Sequence, residues 1–160
     1  MKKIMMLALT VAISTSALAV KVGYVNSEEV FRKYSKTQTL QENLTKEKNR
    51  LEGEIKKKEV TLQKMQVELQ AKGAAVTEAE KTKFQGEVET FQKFIKDSQT
   101  KLGKEEMTRL QEIEQALNNA VNNVAKGDKF DYVLEAGAVK FGGEDITAKV
   151  LTELEKNTKK

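Results

Sequence analysis

Residues 37–126 contain no proline, and apolar residues return through them every three or four positions among Lys, Glu and Gln. That spacing places one apolar stripe along a helix and leaves its other faces to water. A single turn signal interrupts it, at Lys72-Gly73-Ala74-Ala75-Val76-Thr77. The stretch is therefore expected to form two long helices folded into an antiparallel hairpin. At about 1.5 Å per residue, the first helix, ending near Ala71, reaches roughly 50 Å and the return helix roughly 70 Å.

The stripe has a heptad register. With Ile55, Leu62, Leu69 and Val76 at position a, Leu44, Leu51 and Met65 fall at d, as in a coiled-coil seam. Lys48, Lys58 and Lys72 occupy the same seam and predict a loosely packed, compliant arm. Thr77 and Glu80 have capping-box spacing and start the return helix, whose seam runs through Phe84, Val88, Phe91, Ile95, Ser98 and Leu102. Leu110 then follows Leu102 by eight residues instead of seven, with Gly103 at the join, and begins a second set with Ile113, Leu117, Ala120 and Val124. A slip of this kind unwinds a coiled coil or bends the helix.

The flanks supply a small body. Val22 to Val25 alternates as a strand does. Asn26 and Glu29 form a capping box ahead of a short helix carrying Val30, Phe31 and Tyr34, and Thr39 with Glu42 has the spacing of another box at the start of the arm. Gly127 is positioned to end the return helix. Phe130 to Glu135 and Ala138 to Phe141, joined by Ala136-Gly137, are expected to form a β-hairpin. A last helix, from Ala148 to about Lys156, turns Val150, Leu151 and Leu154 inward, and the lysine-rich end to Lys160 is expected to fray. Residues 20–36 and 127–160 thus make the body, and 37–126 the arm. Fifty-one residues with about three short strands form a marginal domain with open strand edges. Strand sharing between subunits of a symmetric ring is the expected remedy, with Val22, Tyr24, Phe31, Tyr132, Leu134, Val139 and Phe141 the apolar positions of the oligomeric body. The fold class is mainly α with a small β part: a coiled-coil hairpin projecting from a strand body that oligomerises.

Residues 1–19 have the form of a secretory signal peptide: Lys2 and Lys3, a largely apolar run from Ile4 to Ile13, and small residues with Ala17 and Ala19 in the cleavage positions. Cleavage is expected after Ala19. The chain has no His and no Cys, which excludes the usual zinc sites, Ser-His-Asp and Cys-His nucleophiles, and disulfides. No glycine-rich loop has phosphate-binding spacing, and acidic pairs such as Glu105-Glu106 lie on a helix as solvated charge. The expectation is no enzyme, no cofactor and no metal. From Val20 onward 26 basic residues face 24 acidic ones, a balance that, with export, disfavours nucleic-acid binding.

Two features of the arm suggest contact with other chains. Val60 and Val67 fall at heptad position f, opposite the seam, and Phe94 also lies off it. Between Lys46 and Lys104, 14 basic residues face 10 acidic ones, with Lys56-Lys57-Lys58 the densest cluster. A weakly apolar, mildly basic surface attracts polypeptides or anionic lipid headgroups. The candidate binding residues are Val60, Val67, Phe94, Lys56, Lys57 and Lys58.

The opening Lys21-Val22-Gly23-Tyr24-Val25-Asn26, the segment Asp131-Tyr132-Val133-Leu134-Glu135-Ala136-Gly137-Ala138-Val139-Lys140-Phe141 and the segment Asp145-Ile146-Thr147-Ala148-Lys149-Val150-Leu151, in this order around a long helical hairpin, resemble the Skp (OmpH-like) family of periplasmic chaperones. The resemblance implies a jellyfish-like homotrimer with a shared strand body and three arms around a cavity. It implies a periplasmic holdase that keeps unfolded outer-membrane proteins from aggregating without ATP, with lipopolysaccharide or anionic lipid as a further partner. A structural coiled-coil scaffold or adaptor of the cell envelope is the competing reading; it would bind one folded partner and ignore unfolded chains.

Overall fold

The computed structural model describes residues 20–156 and 158; the expected leader, and residues 157, 159 and 160 of the lysine-rich end, lie outside them. The order of elements is β1 (Val22–Val25), α1 (Ser27–Lys33), α2 (Ser35–Lys72), a 3₁₀ turn (Gly73–Ala75), α3 (Glu78–Gly127), β2 (Tyr132–Glu135), a 3₁₀ turn (Ala136–Ala138), β3 (Glu144–Asp145) and α4 (Thr147–Lys156). The long hairpin is α2 and α3, about 57 Å and 75 Å at the helical rise.

The seam packs as its spacing predicts. From Leu44 to Leu102, every apolar seam residue is half-buried, while Lys48, Lys58 and Lys72 are exposed. Two helices without a third can shield each other on one side only, so none of these residues is fully buried. At the tip, Gly73 ends α2 with φ +52, a conformation that strains residues bearing a Cβ. Thr77 then caps α3. Its hydroxyl accepts from the Glu80 amide at 3.3 Å, and the Glu80 carboxylate accepts from the Thr77 amide at 3.0 Å.

Other caps differ from expectation. Asn26 caps α1 by accepting from the Glu29 amide, but the Glu29 carboxylate turns to Lys33, so only half of that box forms. Thr39 is no cap, because α2 begins four residues earlier and the Thr39 hydroxyl donates to the Ser35 carbonyl within the helix. Gly127 is still helical, and the left-handed residue that turns the chain is Lys129 at φ 57.

The expected β-hairpin at 130–141 does not form. The sheet has the order β2-β1-β3, and both outer strands run parallel to β1. Val22 pairs with Tyr132 and Val25 with Glu135 on one side; Gly23 pairs with Glu144 and Tyr24 with Asp145 on the other. Burial accounts for the difference. Ile146, whose amide donates to the Tyr24 carbonyl, is fully buried, and its burial draws 144–146 onto β1. Val139 is half-buried and Phe141 lies in solvent, so 138–141 has no comparable gain from pairing. The Val139 amide closes a turn onto Ala136 instead. Gly143, at φ +88, lets the connection pass the Tyr24 ring, which a Cβ there would meet at 3.3 Å.

The core lies where the base of α3 enters the body. Val25, Val30, Tyr34, Ile113, Leu117, Ala120, Ile146, Val150 and Leu154 form one buried cluster, with Phe31, Leu40, Phe130, Val133 and Leu151 packed against it. A clasp closes its rim. Lys149 binds Asp128 at 2.5 Å and Glu144 at 2.7 Å, and Lys21 sits 4.0 Å over the Phe130 ring. Lys149 holds the Asp128 and Glu144 carboxyls below the usual carboxylate range.

Candidate functional site

Val60 and Val67 are exposed, 44% and 58%, on the back of α2 away from the seam. Lys56 lies one turn before Val60, and Lys56, Lys57 and Lys58 are all exposed. Lys58 bends toward the seam instead, with its ammonium 5.1 Å from the Phe94 ring centre, a contact worth roughly 0.5–1 kcal/mol where solvent reaches it. Phe94 sits nearer the seam than its heptad position predicts: it is half-buried and borders a cleft with Leu51, Ser98 and Leu102. The structure thus brings Val60, Val67 and Lys56 to one face and places Phe94 with Lys58 on another. The phase shift at Gly103 does not break α3, which is continuous from Glu78 to Gly127.

The shift has a different consequence. From Gly103 to Glu112, every residue of α3 is exposed. Met107 is 63% and Leu110 37% exposed, so Leu110 does not join the packed set of Ile113, Leu117 and Ala120. Over the same stretch, α2 and α3 flank a cleft of about 450 Å³. Leu40, Leu44, Leu102, Ile113 and Ala116 line its apolar side, and Glu47, Glu105, Arg109 and Glu112 its polar side. Met107 and Leu110 were hidden to sequence reasoning because Leu110 fits the resumed periodicity; the eight-residue gap itself marked where packing would lapse.

The body presents a second surface. β2 and β3 are the edges of the sheet. Tyr132 and Leu134, alternate residues of one face of β2, are 62% and 44% exposed, and Phe141 is fully exposed. Val22, Tyr24, Phe31 and Val139 are half-buried, and Phe31 packs against the core. Exposed apolar residues and open strand edges are the materials from which interaction surfaces are built. The described residues contain neither a cluster of metal-ligand type nor a helix long and apolar enough to cross a membrane.

A long two-helix arm on a small parallel sheet has a counterpart among solved structures. A Caulobacter crescentus CB15 protein described as OmpH-like superposes with a TM-score of 0.75 at 18% identity, over 86% of this chain and 85% of that one, and so shares the fold. The model of the family described as outer membrane protein (OmpH-like) matches residues 21–154, and the chain belongs to that family. Among its relatives are the chaperone protein Skp of Yersinia enterocolitica, 29% identical over 92% of this chain and 94% of that protein, and the chaperone protein Skp of Photorhabdus luminescens, 28% identical over 96% and 99%.

Proposed function

We propose that this chain is a chaperone of outer-membrane proteins, an ATP-independent holdase that keeps unfolded β-barrel chains from aggregating in the periplasm. The observation that carries the reading is the arm itself. It has a half-buried seam, no core of its own and apolar residues facing water at Val60, Val67, Met107 and Leu110. Such a surface offers many weak contacts. Weak contacts suit unfolded chains of varied sequence and allow release without fuel, while several arms acting together supply avidity. Membership of a family whose relatives include Skp chaperones supports it, and so does the leader-like beginning of the sequence.

The assembly proposed is a homotrimer. Tyr132, Leu134 and Phe141 bury against neighbouring copies, and the arms project around a common space. The outer arm, Lys56 to Lys58 included, meets acidic client segments, and anionic lipid or lipopolysaccharide where the arm approaches a membrane. The test is dilution from urea of an outer-membrane β-barrel protein with the purified chaperone at near-stoichiometric ratio. Delayed light scattering is expected, and normal aggregation at several-fold excess of chaperone would sink the proposal. Retention of unfolded but not folded barrel on an immobilised chaperone separates a holdase from an envelope scaffold.

A further inference from the structure

The two helices of the arm are fastened to the body in different ways. α3 runs without a break into the core, where Ile113, Leu117 and Ala120 are buried. α2 follows α1 through one extended residue, Tyr34, at φ −65 and ψ 129, and seats only its first turns in the body, with Thr37 buried and Leu40 packed against the core. Its start is poorly provided by its own sequence. Tyr34 makes no side-chain cap, and the first turn contains no acidic residue but does contain Lys36. Unsatisfied amides and the positive end of the helix dipole both call for an anion there.

The anion comes from the other end of the chain. The Ser35 amide donates to one oxygen of Glu155 at 2.8 Å, and the Ser35 hydroxyl donates to the other at 2.7 Å. Glu155 is anchored in turn, because its neighbour Leu154 is buried in the core. The Thr158 hydroxyl adds a bond to the Tyr34 phenol at 3.1 Å. α1 differs: it has its own Asn26 cap and two acidic residues in its first turn, so the Glu135 carboxylate on Ser27 is an addition. Tyr34, Ser35 and Thr158 themselves border the 450 Å³ cleft between α2 and α3, space into which the root of α2 can shift.

We infer that Tyr34 is a hinge and Glu155 a latch that together set the splay of α2 from α3, and that the latch yields when a bulky client spreads the arms. The client part of this inference rests on the proposed holdase function; the latch does not. The chain has no cysteine, so spin labels at Lys46→Cys and Thr152→Cys, on exposed positions of α2 and α4, report one distance when labelled chain is diluted into excess unlabelled chain. Without client, Glu155→Ala is expected to broaden that distance and shift it from the wild-type value. Ser35→Ala, which keeps the amide bond, is expected to shift it less. Where Glu155→Ala loses helicity, Glu155→Gln provides the comparison, since it keeps an acceptor and the side-chain shape but removes the charge. Unchanged distances in the folded variants overturn the latch. Urea-diluted barrel protein is expected to move the wild-type distance in the direction of Glu155→Ala. A fixed distance with client shown to be bound by co-sedimentation overturns the coupling to client, whereas absence of bound client counts against the holdase reading alone.

Discussion

Thr37 is 1% exposed, and its hydroxyl has no hydrogen-bond partner among the described residues. A buried hydroxyl left unpaired costs about 1–3 kcal/mol. Thr37→Val keeps the branched shape and removes that cost, at a small loss of helix propensity. It is expected to raise the thermal midpoint, and a lowered midpoint would mean that the hydroxyl is satisfied after all. Ile146 is the opposite case, a side chain whose burial decides where a strand pairs. Ile146→Ala is expected to cost about 2–5 kcal/mol, as core truncations do, read from urea unfolding, and to loosen β3 with it.

At the scale of elements, the tip of the arm depends on one carboxylate. Glu80 accepts from Lys72 and from Thr77, and these bonds, that of Lys72 above all, pull its pKa from the ordinary 4.5 to about 2. A carboxyl lowered in the folded state contributes stability that is complete above the unfolded value and lost as pH falls through the folded one. Protection of the Val76 and Thr77 amides from exchange is therefore expected to hold at pH 5 and to fade between about pH 4.5 and 2, and Glu80→Gln is expected to abolish that step. The back of α2 gives a functional test. Val60→Asp with Val67→Asp is expected to leave helicity unchanged, since exposed substitutions typically move stability by about 0.5 kcal/mol or less, while delaying barrel aggregation less than the wild type. Equal protection by the variant would remove this face from the client surface. The hairpin, its seam, Gly73 and the Thr77 box were legible in the sequence because each rests on residues within one or two turns of one another. The parallel sheet was not, since two- to four-residue strands carry no sign of direction and pairing followed the burial of Ile146. Nor were the clamps of Ser27 and Ser35, whose partners lie more than a hundred residues away. On the arm, the exposure of Val60 and Val67 was legible from position f, whereas Phe94 directly precedes the seam residue Ile95 and is half-buried at its margin.

At the scale of the whole molecule, the proposed trimer places the contact between copies on the body. Its β2 edge carries Tyr132 and Leu134 in water, and Phe141 is exposed in the connection before β3; open edges of this kind favour pairing with another chain. Leu134→Arg with Phe141→Ser is expected to reduce the mass in sedimentation to that of a single chain, with the arm helices retained, and an unaltered mass would place the interface elsewhere. The most direct test of a client-holding trimer is the mass of the native assembly, measured by native mass spectrometry with and without an unfolded outer-membrane barrel protein. A trimer of the mature chain that gains the mass of one client and keeps its own stoichiometry is expected. A monomer, or an assembly that takes up no client, would contradict it.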